Sequence, residues 1–275
     1  MQIRIGYELT FEVPRPTPMV LMLYVHPEAA HILTQPEQIV VDPLVAIEDF
    51  VDLFGNRAAR IVAPPGQTRI HYDNVAEDHG LLEPSIAGLP LTPAASLPPE
   101  CCQFLLASRY CEVDSMSQVA WDLFGRTPES WERVQAVLDW VHANITFGYQ
   151  FARPTKTAAD VFAERRGVCR DFQHLAITFL RALNIPARYA TGYLGDIGVP
   201  VSPSPMDFSA WLEAYVGGVW HTLDARHNQP RIGRILMARG RDAVDAALTT
   251  SFGSANLTRF TVWTDEVALA SLGAS

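Results

Sequence analysis

Lysine is nearly missing from this chain. Lys156 is the sole lysine among 21 basic residues, and 30 acidic residues leave a net charge of −9. A nucleic-acid surface needs clustered lysine and arginine against phosphate, so that class of partner is excluded. Cysteine is scarce too, with four in 275 residues and no C-x-x-C pair. That spacing excludes a disulfide framework and fits a reducing compartment, so a cytoplasmic location is expected. No apolar run approaches the ~20 residues a membrane span requires. Residues 1–82 carry no phosphate-cradling glycine loop, carboxylate cluster or histidine pair at ligand spacing, and no metal or organic cofactor is expected.

What is present suits a packed core. Apolar residues make up 48% and charged residues 19%, and the length favours two domains. Ile3, Ile5, Tyr7, Leu9, Phe11 and Val13 alternate with polar or small neighbours. Period two predicts a half-buried strand there rather than a signal peptide. Further strands are expected at 19–25, 38–41, 47–53, 57–63 and 68–72, with Gly55-Asn56 as a hairpin turn. Residues 1–82 therefore read as an N-terminal β-sandwich-like domain. Prolines 84, 90, 93, 98 and 99 mark residues 83–125 as an extended linker and connecting segment. Residues 126–275 form the second domain. Its helices are expected after Thr127-Pro128, from Thr157 to Arg165, from Cys169 onward and at 242–248. Its strands are expected at 187–193 and 257–262.

The chemistry centres on Cys169. Phe172, Leu175, Ala176, Phe179 and Leu183 recur at helical spacing behind it, so the thiol falls in a first turn. Unpaired N–H groups and the helix dipole there favour thiolate, the nucleophilic form. Downstream, Gly217-Gly218 predicts a two-residue turn between strands 207–216 and 219–226. In that register Val216 pairs with Val219. Ser209, Trp211 and Glu213 then share a face with Trp220, Thr222 and Asp224, while His221 points the other way. Ser209 and Asp224 are diagonal neighbours in this arrangement.

Four ordered segments carry a family likeness: Gly-Val-Cys-Arg-Asp-Phe at 167–172, Ile-Pro-Ala-Arg-Tyr at 185–189, Asp-Phe-Ser-Ala-Trp-Leu-Glu-Ala-Tyr at 207–215 and Thr-Leu-Asp-Ala-Arg-His-Asn at 222–228. Together they resemble the transglutaminase-like superfamily, in its bacterial branch with a β domain before a papain-like core. The resemblance implies an α+β fold, with a helix packed on an antiparallel sheet. It also implies a Cys169 nucleophile that forms a thioester with a peptide or carboxamide substrate. Asp224 would orient the base, and hydrolysis is favoured over transamidation. The family's base is the histidine of a His-Ala-Trp motif, and Ser209 stands at that position. Loss of one triad member costs on the order of 10⁴-fold in rate, so a weakened peptidase or amidase is expected. The alternative is a catalytically silent relative that binds peptide in the old cleft.

None of the eight histidines occupies that position. His221 is on the wrong face, and His227 has the same side parity. His174 lies about 500° round the helix from Cys169, and His142 belongs to the preceding helix. The Cys169 N–H and either Tyr149 or Gln150 are the oxyanion candidates. Trp211 is a candidate cleft wall. Cys101, Cys102 and Cys111 are read as packing residues, and Arg170 and Asp171 as a helix-end ion pair.

Overall fold

A computed structural model describes residues 1–84 and 86–267, so positions 268–275 of the second-domain range lie outside it. The chain opens with β1 (Gln2–Val13), β2 (Thr17–Leu21), β3 (Val40–Asp42), β4 (Glu48–Val51), β5 (Arg57–Ala63) and β6 (Gly66–Glu77). The alternation seen in β1 is a burial pattern: Ile3, Ile5, Tyr7, Leu9, Phe11 and Val13 are all buried. The turn between β4 and β5 is built on Asp52, whose Oδ1 accepts the N–H groups of Phe54 at 2.8 Å and Asn56 at 2.9 Å. Gly55 has φ +81° within it, the left-handed conformation glycine adopts without strain.

The middle of the chain departs from an extended linker. A 3₁₀ turn at Pro99–Leu105 leads into α1 (Val113–Phe124). The buried face of α1 is Val113, Met116, Ala120 and Phe124, a helical period that the prolines before it obscure. α2 (Trp131–Asn144) starts at Ser130, not at Thr127-Pro128. Thr127 Oγ1 instead donates to Phe124 O at 2.6 Å, and Thr127 O accepts Arg133 at 2.6 Å. Those bonds hold Thr127 in the joint between α1 and α2.

After β7 (Thr146–Phe147) comes α3 (Ala158–Glu164), opened by a reciprocal capping box between Thr157 and Asp160. β8 (Arg166–Gly167) then leads into α4 (Cys169–Ala182). β9 (Ala187–Tyr193), β10 (Ser209–Val216), β11 (Val219–Leu223) and β12 (Ile235–Gly240) form an antiparallel sheet in the order β11-β10-β9-β12. Helix α4 packs on that sheet through Phe172, Leu175, Ala176 and Phe179 in one core with Tyr189, Ala210 and Leu212. This is the expected helix on an antiparallel sheet.

No helix forms at 242–248. Asp242 binds the N–H groups of Tyr110 and Val244, and the segment stays in turns. The last two strands go back to the start of the chain. β13 (Thr249–Ser251) pairs with β2, and β14 (Asn256–Glu266) pairs with β1. They complete two four-stranded sheets, β14-β1-β6-β3 and β13-β2-β5-β4. Between those sheets the core contains Tyr7, Leu9, Met19 and Ile61, and it continues through Tyr193, Phe208 and Ile235 of the second region. Both regions therefore share one apolar cluster.

Candidate active site

Cys169 is the first residue of α4, as the helical period predicts. The turn before it is fixed by Asp171, a fully buried side chain whose Oδ2 accepts Val168 N–H at 2.9 Å. Gly167 makes room for that carboxylate, since a Cβ there would lie 2.6 Å from the Asp171 side chain. Arg170 Nε stands 3.4 Å from Asp171 Oδ1, the expected ion pair.

The surroundings of the sulfur oppose a thiolate. Burial pushes the Cys169 thiol up to about 11, and the Asp207 carboxylate pushes the same way. Arg226 and the backbone N–H groups of Ala210 and Arg170 pull it down, and they lose. Desolvation therefore works against the helix end, which favours the thiolate.

Two cavities meet at Cys169. The larger, about 620 Å³, is bounded by Tyr110, Tyr189, Val244 and Leu248 and is largely apolar. The smaller, about 260 Å³, is polar, with Arg226, His227, Arg231 and Asp196 in its wall. Cys169, Ser209, Tyr149 and Asp207 line both. Sequence reasoning misses Asp207, two residues before Ser209. Burial raises its carboxyl to about 6, against the pull of Phe208 N–H and Arg226.

Ser209 begins β10 and is buried. Its carbonyl accepts Thr191 Oγ1 at 2.9 Å from the neighbouring strand. The hairpin register holds through Leu223, with Val216 opposite Val219 and Leu212 opposite Leu223. His221 points away as expected, its Nε2 3.1 Å from Val216 O. His174 is buried elsewhere, with its Nε2 accepting Ala243 N–H at 3.1 Å and its ring stacked on Tyr110. His142 contacts Arg226 O through Nδ1 at 2.7 Å.

His227 departs from its expected side. β11 ends at Leu223, so strand parity no longer applies beyond it. Asp224 opens a tight turn closed by Asn228 N–H on Asp224 O at 2.8 Å. Asp224 Oδ1 accepts the N–H groups of Arg226 at 2.9 Å and His227 at 3.1 Å, and Oδ2 takes His227 Nδ1 at 2.8 Å. Burial alone would raise the Asp224 carboxyl; the His227 contacts and Arg234 hold it well below the usual carboxylate range. His227 is therefore oriented by the aspartate that the resemblance assigns to orienting the base.

Gln173 is a second residue that sequence reasoning misses. It lies one helical turn after Cys169 and is fully buried. Its Nε2 donates to Asp224 Oδ1 at 3.0 Å and Ala210 O at 3.2 Å, and its Oε1 accepts Ala225 N–H at 3.1 Å. One amide thus ties α4, β10 and the Asp224 turn together. The i,i+4 spacing from Cys169 is the signal that could have found it.

Two expected residues stand outside the cavities at Cys169. Trp211 is buried beneath Arg234, whose guanidinium sits 4.8 Å from its ring. It faces a separate cavity that Glu213 and Arg239 also line. Gln150 folds over Gly148, which leaves Tyr149 as the side chain at the site. The Tyr149 phenol is pushed up by burial and by Asp207 and Cys169, so it stays a hydrogen-bond donor. Cys101, Cys102 and Cys111 are free thiols, Cys101 and Cys111 buried.

Comparison with known proteins gives a consistent neighbourhood. The family model of the transglutaminase-like superfamily matches residues 118–225. A crystal structure of a candidate cysteine protease from Cytophaga hutchinsonii is 32% identical. It superposes with a TM-score of 0.83 over 100% of this chain and 92% of its own. An uncharacterized protein of Mycobacterium leprae is 25% identical over 204 residues, 72% of this chain and 73% of that protein. A second mycobacterial protein, from Mycobacterium tuberculosis, is 35% identical over 95 residues, 31% of this chain and 30% of its own.

Proposed function

The chain belongs to the transglutaminase-like superfamily, and from that premise we propose a thiol-dependent hydrolase of peptide or carboxamide bonds with Cys169 as nucleophile. The observation that carries the reading is the seat of Cys169. It lies at the start of a buried helix where two cavities meet, with Ser209 and Tyr149 in both walls. Attack on the substrate carbonyl gives a thioester and releases the amine, and water then frees the acid. The Cys169 N–H and the Tyr149 hydroxyl are the donors for the developing oxyanion. The larger, apolar cavity suits an uncharged side chain of the substrate.

Ser209 cannot carry a proton away from the thiol at neutral pH, so turnover is slower than with a histidine in its place. Hydrolysis of a panel of peptide and carboxamide substrates by the parent and by Cys169→Ala tests the reading. The expected result is slow release of amine that disappears in the variant. Equal release from both overturns it.

A second reading, a silent relative that binds peptide, draws support from the upward shift of the Cys169 thiol. It requires peptide binding that survives Cys169→Ala and a parent without turnover. Replacing Ser209 by histidine then separates the two. A gain of about a hundredfold or more in hydrolysis marks a disarmed catalytic scaffold.

A further inference from the structure

We propose that the base of this site has moved from β10 to the turn after β11, and that His227, held by Asp224, takes the Cys169 proton. The proposal rests on the thiol-hydrolase reading and supplies the proton acceptor that reading lacks.

Five observations carry it. His227 and Cys169 line the same polar cavity. His227 Nδ1 lies 2.8 Å from Asp224 Oδ2. An ionised carboxylate only accepts, so Nδ1 bears the hydrogen and Nε2 keeps its lone pair. The ring is partly exposed, with 21% of the side chain open, and Asp224 is anchored by Gln173 to the helix that bears Cys169. Strand position 209, the family's place for the histidine, holds a serine that lines the same cavity.

No hydrogen bond joins Cys169 to His227 among the described residues, and in the proposed step the proton crosses the cavity that both line. The S–H proton goes to Nε2, and the sulfur pair attacks the carbonyl carbon. The C–N bond breaks as Nε2 returns that proton to the leaving amine. Water then attacks the thioester and gives a proton to Nε2, which passes it to the departing sulfur.

The charged surroundings limit what else could act. Arg231 is spent on Asp196 at 3.7 Å. Arg234 is shared between Glu83 at 2.7 Å and Asp224 at 3.4 Å. Arg226 stacks on Phe147 with its guanidinium 3.7 Å from the ring, and Tyr149 stays protonated. Asp207 is the competing acceptor, since its carboxyl titrates near 6.

The test is the pH dependence of Cys169 alkylation by iodoacetamide, read by peptide mass mapping so that the other three thiols are excluded. It needs no substrate. The parent should show a step in its pH profile that depends on His227. In His227→Gln the step should vanish, and the rate above it should fall about tenfold or more. In Asp207→Asn the step should remain. Asp224→Asn should move the midpoint to lower pH, which a purely structural role would not do.

A step lost in Asp207→Asn and kept in His227→Gln overturns the proposal. So does a profile unchanged in both His227→Gln and Asp224→Asn. The two readings fail separately. A His227-dependent step without amide cleavage sinks the hydrolase reading alone. Cys169-dependent cleavage that ignores His227→Gln sinks the relocated base alone.

Discussion

The two strands of the hairpin are built to different standards. β10 lies between two neighbours, and residues 209–214 are buried along its whole inner length. β11 is the sheet edge, with Val219 54% exposed, and it stops after five residues. Ser209 is thus held by a rigid central strand. Asp224 and His227 are held by a turn whose geometry comes from side-chain hydrogen bonds. A central strand fixes the direction of every residue through its ladder. A turn can bring a residue from a different sequence position to the same place. The family's base position is on the first kind of support, and His227, the proposed base, is on the second.

The sharpest way to break the contrast is to damage the central strand. Trp211 is fully buried at the middle of β10, and Trp211→Ala should cost about 3–5 kcal/mol of stability. Val219→Ala on the edge strand should stay within about 0.5 kcal/mol. Chemical denaturation of both variants checks the pair. Equal losses would mean that the edge strand matters to the fold as much as the centre does.

Next in size is the link between the two supports. Gln173→Ala removes the amide that bridges Ala210 O, Asp224 and Ala225 N–H. Leaving buried partners unsatisfied should cost about 1–3 kcal/mol. It should also free the turn, so hydrogen exchange at the Arg226 and His227 amides should quicken more than at β10 amides. Uniform quickening would argue against a separately anchored turn.

The acid limb tests the turn by itself. The Asp224 carboxyl is held below its unfolded value, so it contributes stability that is present above about pH 4 and lost as pH falls further. Asp224→Asn should therefore lower stability at pH 7 and narrow the gap to the parent as the solution is acidified. Urea midpoints at pH 7 and pH 3 measure it. A gap of constant size would show that the charge of Asp224 does not stabilise the turn.

How much of this is readable in the sequence follows the same division. The alternation in β1 and the helix at Cys169 follow from periodicity, and the hairpin register follows from the Gly217-Gly218 turn together with strand alternation. In each case the pattern reports burial against a regular neighbour. The misses lie where periodicity ends. The residues at 242–248 have helical composition, yet Asp242 spends its carboxylate on Tyr110, 132 positions away. α1 follows a proline-rich stretch that suggests no regular structure. Strand parity misplaces His227 because it is carried past Leu223, where the strand has already stopped. The pairing of β14 with β1 and β13 with β2 joins the two ends of the chain, and no local pattern announces so distant a contact. The upward shift of the Cys169 thiol has another cause. The helix start is legible, but the Asp207 charge and the depth of burial depend on tertiary packing.

That shift gives the smallest and most direct prediction. Asp207 is ionised above about pH 6 and faces the thiol from just before the rigid strand. Its charge disfavours a second negative charge on sulfur, so the thiolate gains when it is removed. In Asp207→Asn the thiol midpoint of about 11 should move down, and alkylation at pH 8 should rise a few-fold. At pH 5 the parent carboxyl is largely protonated, and the two rates should converge. Burial remains in the variant, so the midpoint should stay above that of a free thiol, about 8.5. A rate at pH 8 that does not change would mean that Asp207 is screened by Arg226. The thiol would then be governed by desolvation alone, and the central strand would contribute position to the site without charge.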